Sequence, residues 1–172
     1  MTLDVAAAGL LDPRPELIKP RSLTVDGGLD LERARHLVRT GQVLYTFWHT
    51  GDERWLDEAV DPSFTDHTLP PGRPQGADGP AAASATFRAA VPDLACELAD
   101  LLVLGDKLAV RLRFTGHFTG TYNGIAGQGQ AVDFIAFDIQ HVGADRIVED
   151  WHLEDNLTFL LQAGLATVAH AS

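Results

Sequence analysis

Several things are scarce in this 172-residue chain, and each scarcity removes a class of function. There is one cysteine, Cys96. An internal disulfide and a cysteine-based metal site are therefore excluded, and a reduced, cytoplasmic setting is the default expectation. Basic residues are few: 13 Lys and Arg stand against 24 Asp and Glu, a net charge of −11. Nucleic acid and anionic membranes are poor partners for such a surface. No stretch approaches the ~20 apolar residues of a membrane helix. The opening MTLDVAAAGLLDPRPE lacks a basic start, and its apolar run is too short for a signal peptide. The seven histidines form neither H-x-H nor H-E-x-x-H, so no dedicated metal site is expected. GIAGQGQ (124–130) has glycines but not the dinucleotide fingerprint, and it lies between strand-like segments with no helix to receive a phosphate. No cofactor is expected.

What is present is ordinary globular material: 45% hydrophobic and 22% charged residues, enough for one domain with a proper core. Residues 1–28 read as an irregular arm, interrupted by Pro13, Pro15 and Pro20. From Asp30 to His49 the apolar residues Leu31, Ala34, Leu37, Val38, Leu44, Tyr45 and Trp48 recur at helical spacing. A short second helix is predicted within residues 50–60, a short extended piece and a Pro/Gly-rich loop over 61–80, and a third helix over 78–93 that stops before Pro92.

Strands follow at 94–104, 107–120, 131–142 and 147–155, then a last helix from Asn156 to about Ala163. Residues 107–120 alternate with period two, Leu108, Val110, Leu112 and Phe114 on one side. Helices first, then consecutive strands on short turns, point to an α+β fold with a mostly antiparallel sheet. Cys96, within an apolar-rich run, reads as a small buried residue.

The stretch DWHLEDNLTFLLQAG (150–164) places a tryptophan, a histidine and several carboxylates just before the last helix. On the strand the odd positions are Ile147, Glu149, Trp151, Leu153 and Asp155. If Ile147 and Trp151 face inward, Asp155 shares their side, loses hydration and acquires a raised pKa suited to proton transfer. The local sequence equally allows Asp155 to be the N-cap of the helix. His117, between glycines at a strand end, either points into a cavity mouth or caps a turn. His67 precedes a loop that could close over a site, or is simply exposed. Tyr45, Trp48 and Tyr122 are core or wall residues. Arg111 and Arg113 lie on the polar side of their strand.

Taken in order, FWHTGDERWLDEAVDPSFTDHTLPPGRPQG, FRAAVPDLACELADLLVLGDKLAVRLRFTGHFTGTYNG and GQAVDFIAFDIQHVGADRIVEDWHLEDNLTFLLQAG resemble the SnoaL-like polyketide cyclases, or ester cyclases, of the nuclear transport factor two-like superfamily. The likeness spans roughly residues 30–165. It implies a cone-shaped barrel: a curved, mixed but mostly antiparallel sheet packed on N-terminal helices around an apolar pocket. The domain would cover 29–165, with a tail at 166–172.

It further implies a homodimer or higher homo-oligomer formed through the sheet, the arm being available to wrap a partner subunit. Asp155 becomes the implied acid/base and His141 a pocket-lining residue. His67, His117, Trp151 and His152 fall in matching segments. The function so implied is cofactor-independent acid/base catalysis on a small hydrophobic carbonyl compound: enolisation by Asp155, a histidine (His117 or His141) donating to the oxyanion, and aldol-type ring closure or isomerisation. Tyr45, Trp48, His67, Arg113, Tyr122, Trp151 and His152 would line the pocket. Three alternatives stay open. One is epoxide opening, with Asp155 activating water and help from Arg113 or Glu149. The others are a non-catalytic protein binding a hydrophobic ligand in the same pocket and a structural dimerisation module.

Overall fold

The structure, a computed structural model, describes residues 9–168. It begins with strand β1 (Ser22–Val25) and helix α1 (Leu31–Thr50). Asp30 caps α1, its carboxylate accepting from the Arg33 N–H at 3.0 Å, and Gly51 ends it in the left-handed conformation (φ 75°). The spacing seen in the sequence becomes a buried stripe: Leu37, Val38, Leu44 and Tyr45 all lie in the core. Helix α2 (Glu53–Ala59) and strand β2 (Val60–Asp66) follow, then α3 (Asp78–Ala90).

The long strands are β3 (Ala95–Leu104), β4 (Lys107–Phe118), β7 (Gln130–Val142) and β8 (Ile147–Glu154). A small hairpin, β5 (Thr121–Tyr122) with β6 (Ile125–Ala126), occupies the expected glycine-rich loop. Helix α4 (Asn156–Gln162) comes last. The six-stranded sheet runs β1-β3-β4-β7-β8-β2. Its four long strands pair antiparallel, while β1 and β2 join the two edges in parallel. The expected α+β cone, helices packed against a curved mixed sheet, is therefore the observed architecture.

On β4 the predicted inner row is correct: Leu108, Val110, Leu112 and Phe114 are buried. Cys96 is buried and free. The arm departs from its expected irregularity. Ser22–Val25 pairs with Asp100–Val103, Leu17 and Leu23 enter the core, and the Arg14 guanidinium holds Glu58 at 2.9 Å. Its described part thus packs on its own chain. Pairing of so short a segment is a tertiary event that local pattern does not encode.

The element that places the site is β8. Its partner β7 buries Val132, Phe134, Ala136, Asp138, Gln140 and Val142, all even positions. Opposite them stand Glu154 (Ala136), His152 (Asp138), Asp150 (Gln140) and Ile147 (Val142). Between Ile147 and Glu149 the register slips at Val148. This one-residue bulge reverses the parity of the strand. Ile147 points inward, but beyond the bulge Asp150, His152 and Glu154 take the inner face.

Candidate active site

Helices α1 and α3, strands β2, β7 and β8 and the loop 67–77 enclose a cavity of about 130 Å³. Leu44, Trp48, Val60, Phe64, Ala83 and Ile147 supply apolar wall. Asp150, His152, Glu154, Gln140, Asp66 and Arg73 supply polar groups. The loop is held at both ends. Gln75 exchanges hydrogen bonds with the Asp66 backbone at 2.7 and 2.9 Å, and Thr68 Oγ1 accepts the His152 N–H at 2.8 Å.

His152 is the centre of a charged chain. Its Nδ1 meets Asp138 Oδ1, and its Nε2 lies 2.8 Å from Glu154 Oε2. Carboxylates only accept, so both ring nitrogens must donate and the ring is an imidazolium. Burial opposes that charge. Asp138, through its field and its hydrogen bond, outweighs it with help from Glu154, and the His152 pKa sits well above the ordinary histidine value.

Asp138 is almost fully buried, and its second oxygen accepts from Tyr45 Oη at 2.6 Å. Burial and the neighbouring Asp138 push the Tyr45 pKa well up, so Tyr45 stays a donor. Glu154 loses solvation, but the hydrogen bonds from His152 and from Asn156 (2.9 Å) and the charge of Arg73 leave its pKa lowered. Trp48 lies parallel to the imidazolium, with ring centres 6.3 Å apart and planes at 5°.

Asp150 differs from these. Burial, then the negative charge of Asp138, raise its pKa well above the usual carboxylate value, with His152 pulling the other way. Its Oδ1 is buried without a hydrogen-bond partner. Donor atoms of Asp138, Asp150 and His152 lie within 4.8 Å of one another. For that trio to hold a metal ion, the His152 ring would have to give up a proton and its bond to Asp138 or to Glu154.

Of the expected pocket residues, Trp48 and His152 line the cavity, whereas Tyr45 does not: it is fully buried behind Asp138. The others lie elsewhere, and Asp155 is the main correction. The bulge at Val148 turns it out of the interior. It is exposed and caps α4, accepting from Thr158 N–H (3.0 Å) and Thr158 Oγ1 (2.7 Å). The Thr158 hydroxyl and then its N–H hold the Asp155 pKa below the ordinary value, opposite to the expected rise.

His141 and Trp151 sit on the outer face of the sheet. Glu149 binds His141 (2.8 Å) and His67 (3.0 Å), and His67 stacks on Trp151 at 4.5 Å. His117 is exposed and paired with Asp93 at 2.7 Å. Arg113 is paired with Asp133 on the outer face, 2.8 Å from Nε. Tyr122 packs edge-on against Phe159. None of these lines the cavity.

The polar site residues that sequence reasoning missed are Asp66, Arg73, Asp138, Gln140, Asp150 and Glu154. One signal was available: Asp138 and Gln140 interrupt an even-numbered row on β7 that is otherwise apolar from Val132 to Val142.

The comparisons with known proteins agree with this fold. A family model for SnoaL-like polyketide cyclase matches residues 38–163. This chain belongs to the SnoaL-like polyketide cyclase family. Among solved structures, a candidate polyketide cyclase from Bacillus cereus ATCC 10987 is 44% identical. It has a TM-score of 0.80, over 91% of this chain and 99% of the other. TsrD from Streptomyces laurentii is 28% identical, with a TM-score of 0.68 over 80% and 99% of the two chains. IdmH, a candidate polyketide cyclase from Streptomyces antibioticus, is 28% identical, with a TM-score of 0.65 over 73% and 96%. No curated protein matches the chain significantly. As a SnoaL-like chain it has no helix, among the described residues, long and apolar enough to cross a membrane.

Proposed function

We propose that this SnoaL-like protein is a cofactor-independent acid/base enzyme of the cyclase/isomerase type, acting on a small, largely apolar carbonyl compound. Asp150 takes the role that the sequence suggested for Asp155. In its ionised form it removes a proton α to the carbonyl, and the C–H electron pair moves onto oxygen as an enolate. The His152 imidazolium faces that developing negative charge. Asp138, itself fixed by Tyr45, and Glu154 hold the ring in place. The enolate carbon then attacks a second carbonyl of the same molecule. One C–C bond forms, and the new alkoxide takes the proton back from Asp150. Reprotonation at a different carbon would give an isomer instead.

The observation that carries this reading is Asp150 itself: a half-buried aspartate with one buried, unpartnered oxygen, beside a doubly anchored imidazolium, in a cavity whose wall is part apolar and part charged. A carrier of apolar ligands gains nothing from such a group, whereas a base working near neutral pH needs a raised pKa. The test is exchange of α-hydrogen for deuterium, followed by proton NMR over a panel of small 1,3-dicarbonyl compounds. The full chain should accelerate exchange, and Asp150→Asn should abolish the acceleration. Exchange equal in the two proteins removes the acid/base reading.

A further inference from the structure

The acid/base chain does not use every polar group of the cavity. Gln140 is 1% exposed, lines the cavity from β7, and its Oε1 makes no hydrogen bond. Its cross-strand neighbour is Asp150, whose Oδ1 is equally unpartnered. When Asp150 is ionised, as the base must be, these two buried oxygens stand side by side without a donor among the described residues, and an unmet buried acceptor is costly. On the loop side, Arg73 borders the same cavity, and its guanidinium forms no hydrogen bond or ion pair among the described residues. It influences Glu154 only through its field. Arg14, Arg21, Arg33, Arg39, Arg54, Arg111 and Arg113 are ion-paired and Arg35 and Arg88 donate to backbone carbonyls; Arg146 is, like Arg73, unpaired among the described residues but does not border the cavity. The cavity therefore offers a free acceptor at its buried end and a free donor at its loop end. Its volume of about 130 Å³ is close to the ~150 Å³ that accommodates one benzene ring.

We propose that Gln140 and Arg73 are the specificity-determining residues of this site. Gln140 accepts a hydrogen bond from a hydroxyl at the buried end, and Arg73 donates to a carbonyl oxygen at the loop end. The preferred ligand is a single-ring hydroxy-carbonyl compound. This rests on the acid/base reading only for the identity of the site. It is consistent with that chemistry, because aldol closure converts a carbonyl into a ring hydroxyl and leaves a carbonyl elsewhere. A free guanidinium alone would suit a carboxylate, but the rest of the wall favours a carbonyl. Even with Asp150 neutral, Asp66 and Glu154, with Asp138 behind, outnumber His152 and Arg73, and a further anion would meet net negative charge.

Isothermal titration of the full chain with three probes tests the assignment: 4-hydroxyacetophenone, 4-methoxyacetophenone, which lacks the hydroxyl donor, and 4-ethylphenol, which lacks the carbonyl. The first should bind about tenfold more tightly than either of the others, as expected when a site built to pair a group meets a ligand without it. Gln140→Leu should erase the hydroxy-over-methoxy preference, and Gln140→Glu, which keeps an acceptor, should retain it. Arg73→Ala, on a surface loop, should erase only the preference for the carbonyl.

Equal binding of all three probes, no binding of any, or preferences that survive both substitutions would overturn the proposal. Asp150→Asn separates the two readings. If it abolishes exchange while the probe preferences fail to appear, only the recognition assignment falls. If the preferences appear but exchange never depended on Asp150, only the acid/base reading falls.

Discussion

Asp138 is the residue on which the site's charge balance turns, and Asp138→Ala has a calculable consequence. The side chain is 3% exposed and accepts two hydrogen bonds, from Tyr45 Oη at 2.6 Å and from the His152 imidazolium. A hydrogen bond to a charged group contributes about 1.5–3 kcal/mol. The two together contribute about 3–6 kcal/mol. Removing one member of a buried pair typically costs ~3–5 kcal/mol. His152 can shed its proton once Asp138 is gone, which places the expected loss at the lower end, about 3 kcal/mol. For a domain of this size that is ~6–12 °C in Tm.

The loss is pH-dependent, with a definite sign. His152 has a folded pKa raised above its unfolded value. Its stabilisation is complete below the unfolded value of ~6.5 and is lost as pH rises through the folded pKa. The gap between wild type and Asp138→Ala should therefore be widest in mildly acidic buffer and narrow as pH rises. Urea unfolding of both proteins across that range measures it. A gap that stays below about 1 kcal/mol, or one that widens with rising pH, would refute the charged Tyr45–Asp138–His152 chain.

Four further outcomes are expected. Asp150→Asn should stabilise the protein at neutral pH by about 1.4 kcal/mol for each unit by which the folded pKa exceeds the unfolded one, as read by urea unfolding. A raised carboxyl pKa is a folded-state penalty that appears as pH rises above the unfolded value, and Asn removes it. Asp155→Ala should lower Tm through loss of the α4 cap, yet leave α-hydrogen exchange unchanged; loss of exchange would return Asp155 to the chemistry. Exhaustive chelation should leave exchange unchanged, and loss restored by a divalent ion would assign a metal to Asp138, Asp150 and His152. The family resemblance implies association through the sheet, whose outer face exposes Ile135, Phe137 and Ile139; Phe137→Lys should shift an oligomer toward monomer in sedimentation.

The fold was more legible than the site, for a physical reason visible on two strands. On β4 the outer positions are Arg111, Arg113 and His117, so alternation names the inner face without ambiguity. On β7 the outer row includes Ile135, Phe137 and Ile139, as apolar as the inner one, and alternation gives no answer. Asp138 and Gln140 were thereby concealed as polar interruptions of a hydrophobic run.

On β8 the parity argument was sound up to its first residue. Ile147 does face inward, but the bulge at Val148 reverses everything after it. A bulge depends on how β7 and β8 pair, which a single strand's sequence does not record. The same reversal sends Trp151 outward and brings His152 in. The Asp155 cap was written locally, since an aspartate directly before NLTFLLQ is a common helix start.

The most direct test of the whole account is the titration of the Asp150 carboxyl in the intact chain. Carbon-detected NMR of aspartate side chains would follow it, with Asp150→Asn assigning the signal. The account predicts a midpoint well above the ordinary aspartate value of ~3.9, with the Asp150 signal responding again as His152 loses its proton at higher pH. A midpoint at or below ~3.9 would describe a solvated, permanently ionised carboxylate and would contradict the assignment of Asp150 as the acid/base of this site.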